Sequence, residues 1–288
     1  MKVLVAILAI AALVYAEEDL DWSTVKPKDI RIPWPVGAEL TPILKQFYDN
    51  SRIVGGTEAA PNSIPYQAAL LLTAAAGTFF CGGSLISTRY VLTAAHCLDG
   101  VVQVEVRLGA HQVNVNEASQ VRLFTSTFVQ HSAWNAANLQ NDIAVIELPQ
   151  AVTLSASIQI LPLPTYSDVG NNFSGTSARI SGWGLDSDSS TAISPVLRQV
   201  FADVISNFLC NIQFLGIIQN THICTSGTGG RGACSGDSGG PLVVGNRQIG
   251  IVSFGLALGC EIGWPSAFTR VTSYLDWIAA NTDVTISP

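Results

Sequence analysis

Residues 236–253 read Gly-Asp-Ser-Gly-Gly-Pro-Leu-Val-Val-Gly-Asn-Arg-Gln-Ile-Gly-Ile-Val-Ser, a glycine-rich turn followed by two short apolar runs, Pro241 to Val244 and Gln248 to Ser253. Gly245 and Asn246 divide the runs, and short runs bounded by such residues read as antiparallel strands. Others recur at Gln67 to Leu72, Gly83 to Ile86, Gln103 to Leu108, Ile143 to Leu148, Ala178 to Ser181 and Val196 to Val204. One segment departs from this. Val271, Leu275, Ile278 and Ala279 fall at helical spacing, with Asp276 and Asn281 facing elsewhere, which predicts a terminal amphipathic helix. The expectation is an all-β chain of sandwiches or barrels ending in a helix. The residues after Arg52 suffice for two barrels of similar size, with a junction near Leu161-Pro162-Leu163-Pro164.

Composition agrees. Of 288 residues, 48% are hydrophobic and 12% charged, which excludes a disordered or fibrous chain. A net charge of -7 leaves no basic surface to neutralise phosphates, so nucleic acid is excluded as a partner. The 25 glycines and 13 prolines point away from a helical bundle.

Residues 1–16 join a basic start at Lys2, an apolar run from Val3 to Val14 and a small-residue exit at Ala16, the pattern of a cleaved secretion signal. The alternative, a membrane anchor, needs roughly 20 apolar residues, more than this run has, so no membrane partner is expected. Secretion implies an oxidising compartment, and the six cysteines (81, 97, 210, 224, 234, 260) read as three disulfides. Spacing alone leaves their pairing open. With no C-x-x-C pair and no H-E-x-x-H, zinc has no support, and neither metal nor cofactor is expected. Residues 17–52, polar and carrying Lys26-Pro27-Lys28, Pro33, Pro35 and Pro42, read as a prosegment ending at Ser51-Arg52. Cutting there would leave Ile53 as a new N-terminus for residues 53–288.

A serine hydroxyl becomes a useful nucleophile when an imidazole takes its proton and a buried carboxylate fixes that imidazole. Of four histidines (96, 111, 131, 222), only His96 lies in a small-residue context, Leu92-Thr93-Ala94-Ala95-His96-Cys97; the others sit among polar residues. Taken singly, His96 reads as a satisfied structural histidine. Ser238 sits where glycines let main-chain N–H groups approach a bound carbonyl, which suits an oxyanion hole. A phosphate cradle competes, but no Lys-Ser/Thr follows. Asp142 precedes the apolar Ile143-Ala144-Val145-Ile146 and reads as a buried acid in need of a partner, the alternative being a turn residue.

Ile53-Val54-Gly55-Gly56, Leu92 to Cys97, Asn141-Asp142-Ile143-Ala144 and Gly236 to Pro241 together resemble the chymotrypsin-family serine endopeptidases, in the chain order His, Asp, Ser of that family. The resemblance covers essentially all of residues 53–288, and insect digestive chymotrypsins look similar. It implies two packed six-stranded antiparallel β-barrels, about residues 53–162 and 163–288, with a C-terminal α-helix. By resemblance, His96 is general base and acid, Asp142 orients it, Ser238 attacks, and the N–H groups of Gly236 and Ser238 hold the oxyanion. The implied disulfides are Cys81 to Cys97, Cys210 to Cys224 and Cys234 to Cys260. The amine freed at Ile53 would insert and pair with Asp237, so the precursor should be nearly inactive. Residues 17–52 hold no cysteine, so the cut segment should leave.

The family's pocket reads the side chain before the scissile bond, and its base corresponds to Gly232, uncharged where a trypsin has aspartate. Ser253-Phe254-Gly255 resembles the edge strand that pairs with substrate, Gly255 leaves the entrance open, and Ser266 stands where chymotrypsins usually have glycine. Phe, Tyr and Leu are the expected residues, with an elastase-like preference as an alternative. Ala110 and Gln120 replace the charged residues that hold calcium in trypsin-like relatives, so no calcium site is expected. Asn172-Phe173-Ser174 is a glycosylation sequon. After Arg52 there is no lysine but eight arginines (89, 107, 122, 179, 198, 231, 247, 270), a bias that suits an alkaline lumen because arginine keeps its charge. The expected protein is a secreted, monomeric digestive zymogen acting on proteins or peptides, switched on by a trypsin-like protease and opposed by proteinaceous inhibitors. A regulatory cascade protease and a catalytically silent binding homologue are the competing readings.

Overall fold

The structure is a computed structural model describing residues 20–33 and 56–288. The signal read in residues 1–16 and the junction at Arg52 and Ile53 lie outside the described residues. Two short strands, β1 (Lys26–Pro27) and β2 (Ile30–Ile32), come first, inside a stretch that the sequence reading left without elements. Then follow β3 (Thr57–Glu58), β4 (Gln67–Ala74), β5 (Gly77–Leu85), β6 (Tyr90–Thr93), β7 (Val101–Leu108), β8 (Val121–Thr125), β9 (Phe128–Gln130) and β10 (Ala144–Glu147). The second half holds β11 (Ser177–Gly182), β12 (Arg198–Ile205), helix α1 (Asn207–Gln213), β13 (His222–Thr225), β14 (Pro241–Val244), β15 (Arg247–Leu256), β16 (Ser266–Arg270) and helix α2 (Leu275–Asn281).

The first sheet runs β8-β7-β4-β5-β6-β10-β9, with β1 added in parallel to β5. It curls into a half-barrel whose described end strands, β8 and β9, do not pair. The second runs β11-β14-β15-β16-β13-β12 and closes into a six-stranded barrel through β11 and β12. β3 joins the β12 edge, and β2 lies parallel to β15. The all-β architecture and the terminal helix expected from the sequence are both present.

Strand β4 shows why an unbroken apolar run was needed. Ala68, Leu70 and Leu72 point into the first core with Val104, Val106 and Ile146, while Ala69 and Leu71 join Phe80, Trp183 and Val243 in a second cluster. Burial on both faces removes the polar alternation of a half-exposed strand. β12 is the contrasting case, with Val200, Ala202 and Val204 inward and Phe201 and Asp203 outward. In the terminal segment, Val271 belongs to a 3-10 turn, Val271–Ser273, and Leu275 and Ile278 of α2 pack with it on the first core.

Helix α1 escaped the sequence reading for a physical reason. Its apolar residues Phe208, Leu209 and Ile212 are exposed and only Cys210 is buried, so it lacks an inward apolar stripe. Ser206 caps it by accepting the Leu209 N–H. Disulfides join Cys81 to Cys97, Cys210 to Cys224 and Cys234 to Cys260. The second ties α1 to β13, and the first ties β5 to the turn after β6.

Core burial gives a direct test. Leu70 is 0% exposed and Val102 63% exposed. Leu70→Ala should lower unfolding stability by about 2–5 kcal/mol and Val102→Ala by under about 0.5 kcal/mol, read from urea denaturation; equal effects would contradict this packing.

Candidate active site

Asn141 starts the site. It sits in the left-handed region (φ 59°), which asparagine tolerates better than most residues. Its Nδ2 donates to the Ala133 carbonyl at 2.8 Å and its Oδ1 accepts from the Tyr274 hydroxyl at 3.1 Å, so the turn is held from both sides. That turn delivers Asp142, 0% exposed, between the two sheets at the head of β10. Thr269 of β16 donates to its main-chain carbonyl at 2.8 Å.

A buried carboxylate must be met by donors, and Asp142 has three. Oδ1 accepts the His96 N–H at 2.9 Å. Oδ2 lies 2.8 Å from His96 Nδ1 and accepts the Ser253 hydroxyl at 2.5 Å. An acceptor-only group facing Nδ1 requires that nitrogen to carry the proton, so in the neutral ring Nε2 is the acceptor. Ser253 was read from the sequence only as part of the substrate-pairing edge strand beside the pocket; its bond to Asp142 spans 111 residues and has no local signal.

His96 lies on a buried 3-10 turn, Ala95–Leu98, beside the disulfide from Cys97 to Cys81. The Trp134 ring stands 6.5 Å from the imidazole, a neighbour the sequence did not announce. The other histidines are not all in polar surroundings as their sequence context suggested. His222 is buried on β13 with Nε2 2.9 Å from the Leu139 carbonyl, and burial lowers its pKa. Buried His111 meets Glu58 at 2.9 Å. His222 is a satisfied structural histidine, its Nδ1 accepting Gln219 N–H at 3.0 Å, whereas His111 Nδ1 is buried without a hydrogen-bond partner among the described residues.

The Ser238 turn bridges the sheets. The Ser238 carbonyl accepts from Gly82 of β5 at 2.7 Å, and Gly239 N–H donates to Val252 of β15 at 2.8 Å. Gly239 has φ 80° and lies against Thr93 and Ala94, so no side chain fits there, and the turn is pressed onto the segment that leads to His96. Ser238 is buried and lines a cavity with Ser253, Phe254 and Gly255.

Between the residues read as oxyanion donors, Gly236 and Ser238, the Asp237 carboxylate turns inward. It accepts Gly184 N–H at 2.8 Å and Cys234 N–H at 2.9 Å. Burial raises its pKa above the ordinary carboxylate value, opposed by those two bonds and by the charge of Arg31. Asp237 lines a cavity whose wall also includes Gly56 and Gly232. Arg52 and Ile53 lie outside the described residues.

A Cβ on Gly232, read from the sequence as the pocket base, would stand 2.6 Å from the Ser266 hydroxyl, which accepts Ala233 N–H at 3.1 Å. The Phe254 ring packs edge-on against Phe214 and His222, at 5.4 and 5.5 Å. A Cβ on Gly255 would lie 2.8 Å from the Arg31 guanidinium, because residues 29–31 enter the same cavity as Ser238.

Comparisons with known proteins fit this geometry. The Trypsin family pattern matches residues 53–278. Brachyurin from Leptuca pugilator is 51% identical over 81% of this chain and 100% of its own length. A chymotrypsin from Phaedon cochleariae is 46% identical over 88% of this chain and 91% of its own. A solved HL collagenase structure is 38% identical, with a TM-score of 0.74 over 80% of this chain and 99% of that one. The His96–Asp142 pair and the closed barrel therefore sit in a member of a known lineage: the chain belongs to the trypsin family, as a chymotrypsin-like serine endopeptidase.

Proposed function

We propose that this protease is secreted as a precursor, cut after Arg52, and hydrolyses peptide bonds following Phe, Tyr or Leu in dietary protein. The observation that carries the reading is the Asp142 carboxylate on His96 Nδ1, which makes Nε2 the acceptor of the neutral ring; Nε2 stands 3.8 Å from Cys97 Sγ in this structure and must face Ser238 for the proton to pass. Ser238 Oγ attacks the substrate carbonyl as its proton passes to Nε2. Gly236 and Ser238 N–H groups hold the oxyanion, and His96 then protonates the leaving amine. Water repeats the sequence on the acyl-enzyme and frees the acid. No metal or cofactor enters these steps.

Several features support the finer points. Gly232 brings no charge to the pocket, so apolar side chains fit better than Arg or Lys, and the Ser266 hydroxyl over it shortens the base. Gly56 shares a cavity with Asp237, and an extended chain of three residues reaches about 10 Å, which puts a freed Ile53 amine within range of that carboxylate. Three disulfides suit secretion. The lysine-free sequence after Arg52 suits an alkaline lumen. The partners are protein substrates, an activating protease that cuts after arginine, and proteinaceous inhibitors.

Three outcomes are expected. Ser238→Ala should abolish labelling by a fluorophosphonate and cut kcat by roughly 10⁶, the scale seen when such a nucleophile is removed; retained labelling or hydrolysis would refute the assignment. Ser266→Gly should raise kcat/KM for Trp relative to Phe by about tenfold in matched anilide substrates, since a deeper base admits the larger ring. An unchanged ratio would show that Ser266 does not set the depth.

The third concerns pH. A carboxyl with a raised folded pKa binds its proton more tightly folded than unfolded, so precursor stability should fall as pH rises from about 4 towards that raised value, then level off. Urea unfolding of the precursor, with Asp237→Asn subtracted at each pH, should show this decline. A flat difference would contradict it.

A further inference from the structure

The stretch read as prosegment runs through the active-site cleft. Val25 is buried with Phe80 and Trp183, Leu20 and Trp22 pack on the same cluster, and the Arg107 guanidinium lies 5.1 Å over the Trp22 ring. From that anchor the chain pairs in parallel with β5, Lys26 opposite Phe79 and Pro27 opposite Phe80. Lys28 N–H donates to the Phe80 carbonyl at 3.0 Å, and its ammonium to the Asp99 carbonyl. It then pairs in parallel with β15, Ile30 opposite Phe254, Arg31 opposite Gly255 and Ile32 opposite Leu256. The Asp29 carboxylate accepts from Arg31 Nε at 2.6 Å and from the Ser235 hydroxyl at 2.7 Å. Arg31 Nη2 donates to Ser235 Oγ at 2.9 Å and lies 3.1 Å from Cys260 Sγ.

The direction of this chain is the point. A substrate with the residue before its scissile bond in the Gly232 pocket has its acyl half along β15. Its leaving half then lies towards β5, where His96 and the disulfide from Cys97 to Cys81 stand. Residues 26–32 run the other way, from β5 to β15. A reversed chain turns the nitrogen that follows each carbonyl towards the pocket, away from the imidazole that must protonate it. Such a chain fills the cleft and is not a substrate. Charge favours it too: residues 26–32 carry Lys26, Lys28 and Arg31 against Asp29, whereas the part after Arg52 has eight arginines and 14 carboxylates.

The geometry points to a binding role for the cleft beyond substrate: it holds a basic, extended peptide, the chain's own residues 20–33, in the polarity opposite to substrate, and this peptide inhibits the activated enzyme in trans without being cut. The inference rests on the proposed cut after Arg52 and on Ser238 as nucleophile. It gives the released segment a role, because no covalent tether is needed for rebinding.

The test uses activated protein freed of residues 17–52. A dye-labelled peptide of residues 20–33 should bind saturably by fluorescence anisotropy, and the unlabelled peptide should raise KM for an apolar anilide substrate with kcat unchanged. Mass spectrometry should find it intact after prolonged incubation, and Asp29→Ala or Arg31→Ala peptides should bind at least tenfold more weakly. Absence of saturable binding, cleavage within residues 26–32, or equal binding of both substituted peptides overturns the inference. Binding and hydrolysis are read separately. Peptide binding by a protein that hydrolyses nothing would sink the proposed function and with it the claim of inhibition, leaving only the reversed binding, whereas hydrolysis without peptide binding would overturn the inference alone.

Discussion

A carboxylate buried between two sheets is the constraint on which the rest of the molecule depends. Asp142 is removed from water, and its oxygens are met by His96, through both its main-chain N–H and Nδ1, and by the Ser253 hydroxyl. His96 comes from the first sheet and Ser253 from the second, so satisfying this one acid fixes how the sheets meet. The Ser238 turn is held in the same way, from β5 on one side and β15 on the other. The site is thus a by-product of satisfying polar groups at the seam between the sheets, and the cores on either side keep that seam in register.

A similar demand from carbonyls and hydroxyls bears on the arginines. Arg107 reaches Glu105 and the Val113 carbonyl, Arg179 the Tyr66 hydroxyl, and Arg270 the carbonyls of Asn220, His222 and Asn171. A planar fork with five donors can satisfy several carbonyls at once, which a single ammonium does less well. Structural demand therefore contributes to the arginine bias.

Much of this was legible in the sequence because it is carried by local pattern. The β4 run, the alternation of β12 and the spacing of Val271, Leu275 and Ile278 each gave an element. The turn around Ser238 and the context of His96 stood out because glycines and small residues are needed where backbones approach closely. What stayed hidden is long-range or inverted. Ser253 meets Asp142 across 111 residues, Trp134 reaches His96 from a loop, and α1 shows its apolar residues to solvent. β1 and β2 were invisible because they are only two and three residues long and take their strand geometry from β5 and β15, although Ile30 and Ile32 of β2 pack on the core beside Phe254 and Leu256.

The central claim is that the buried acid dictates which imidazole nitrogen holds the proton. Nitrogen NMR of histidine-labelled, activated protein, at a pH where the His96 ring is neutral, tests it most directly. The account predicts a protonated Nδ1 and an unprotonated Nε2 for His96. A neutral ring protonated at Nε2 would contradict it, because Nε2 would then have no lone pair with which to take the Ser238 proton.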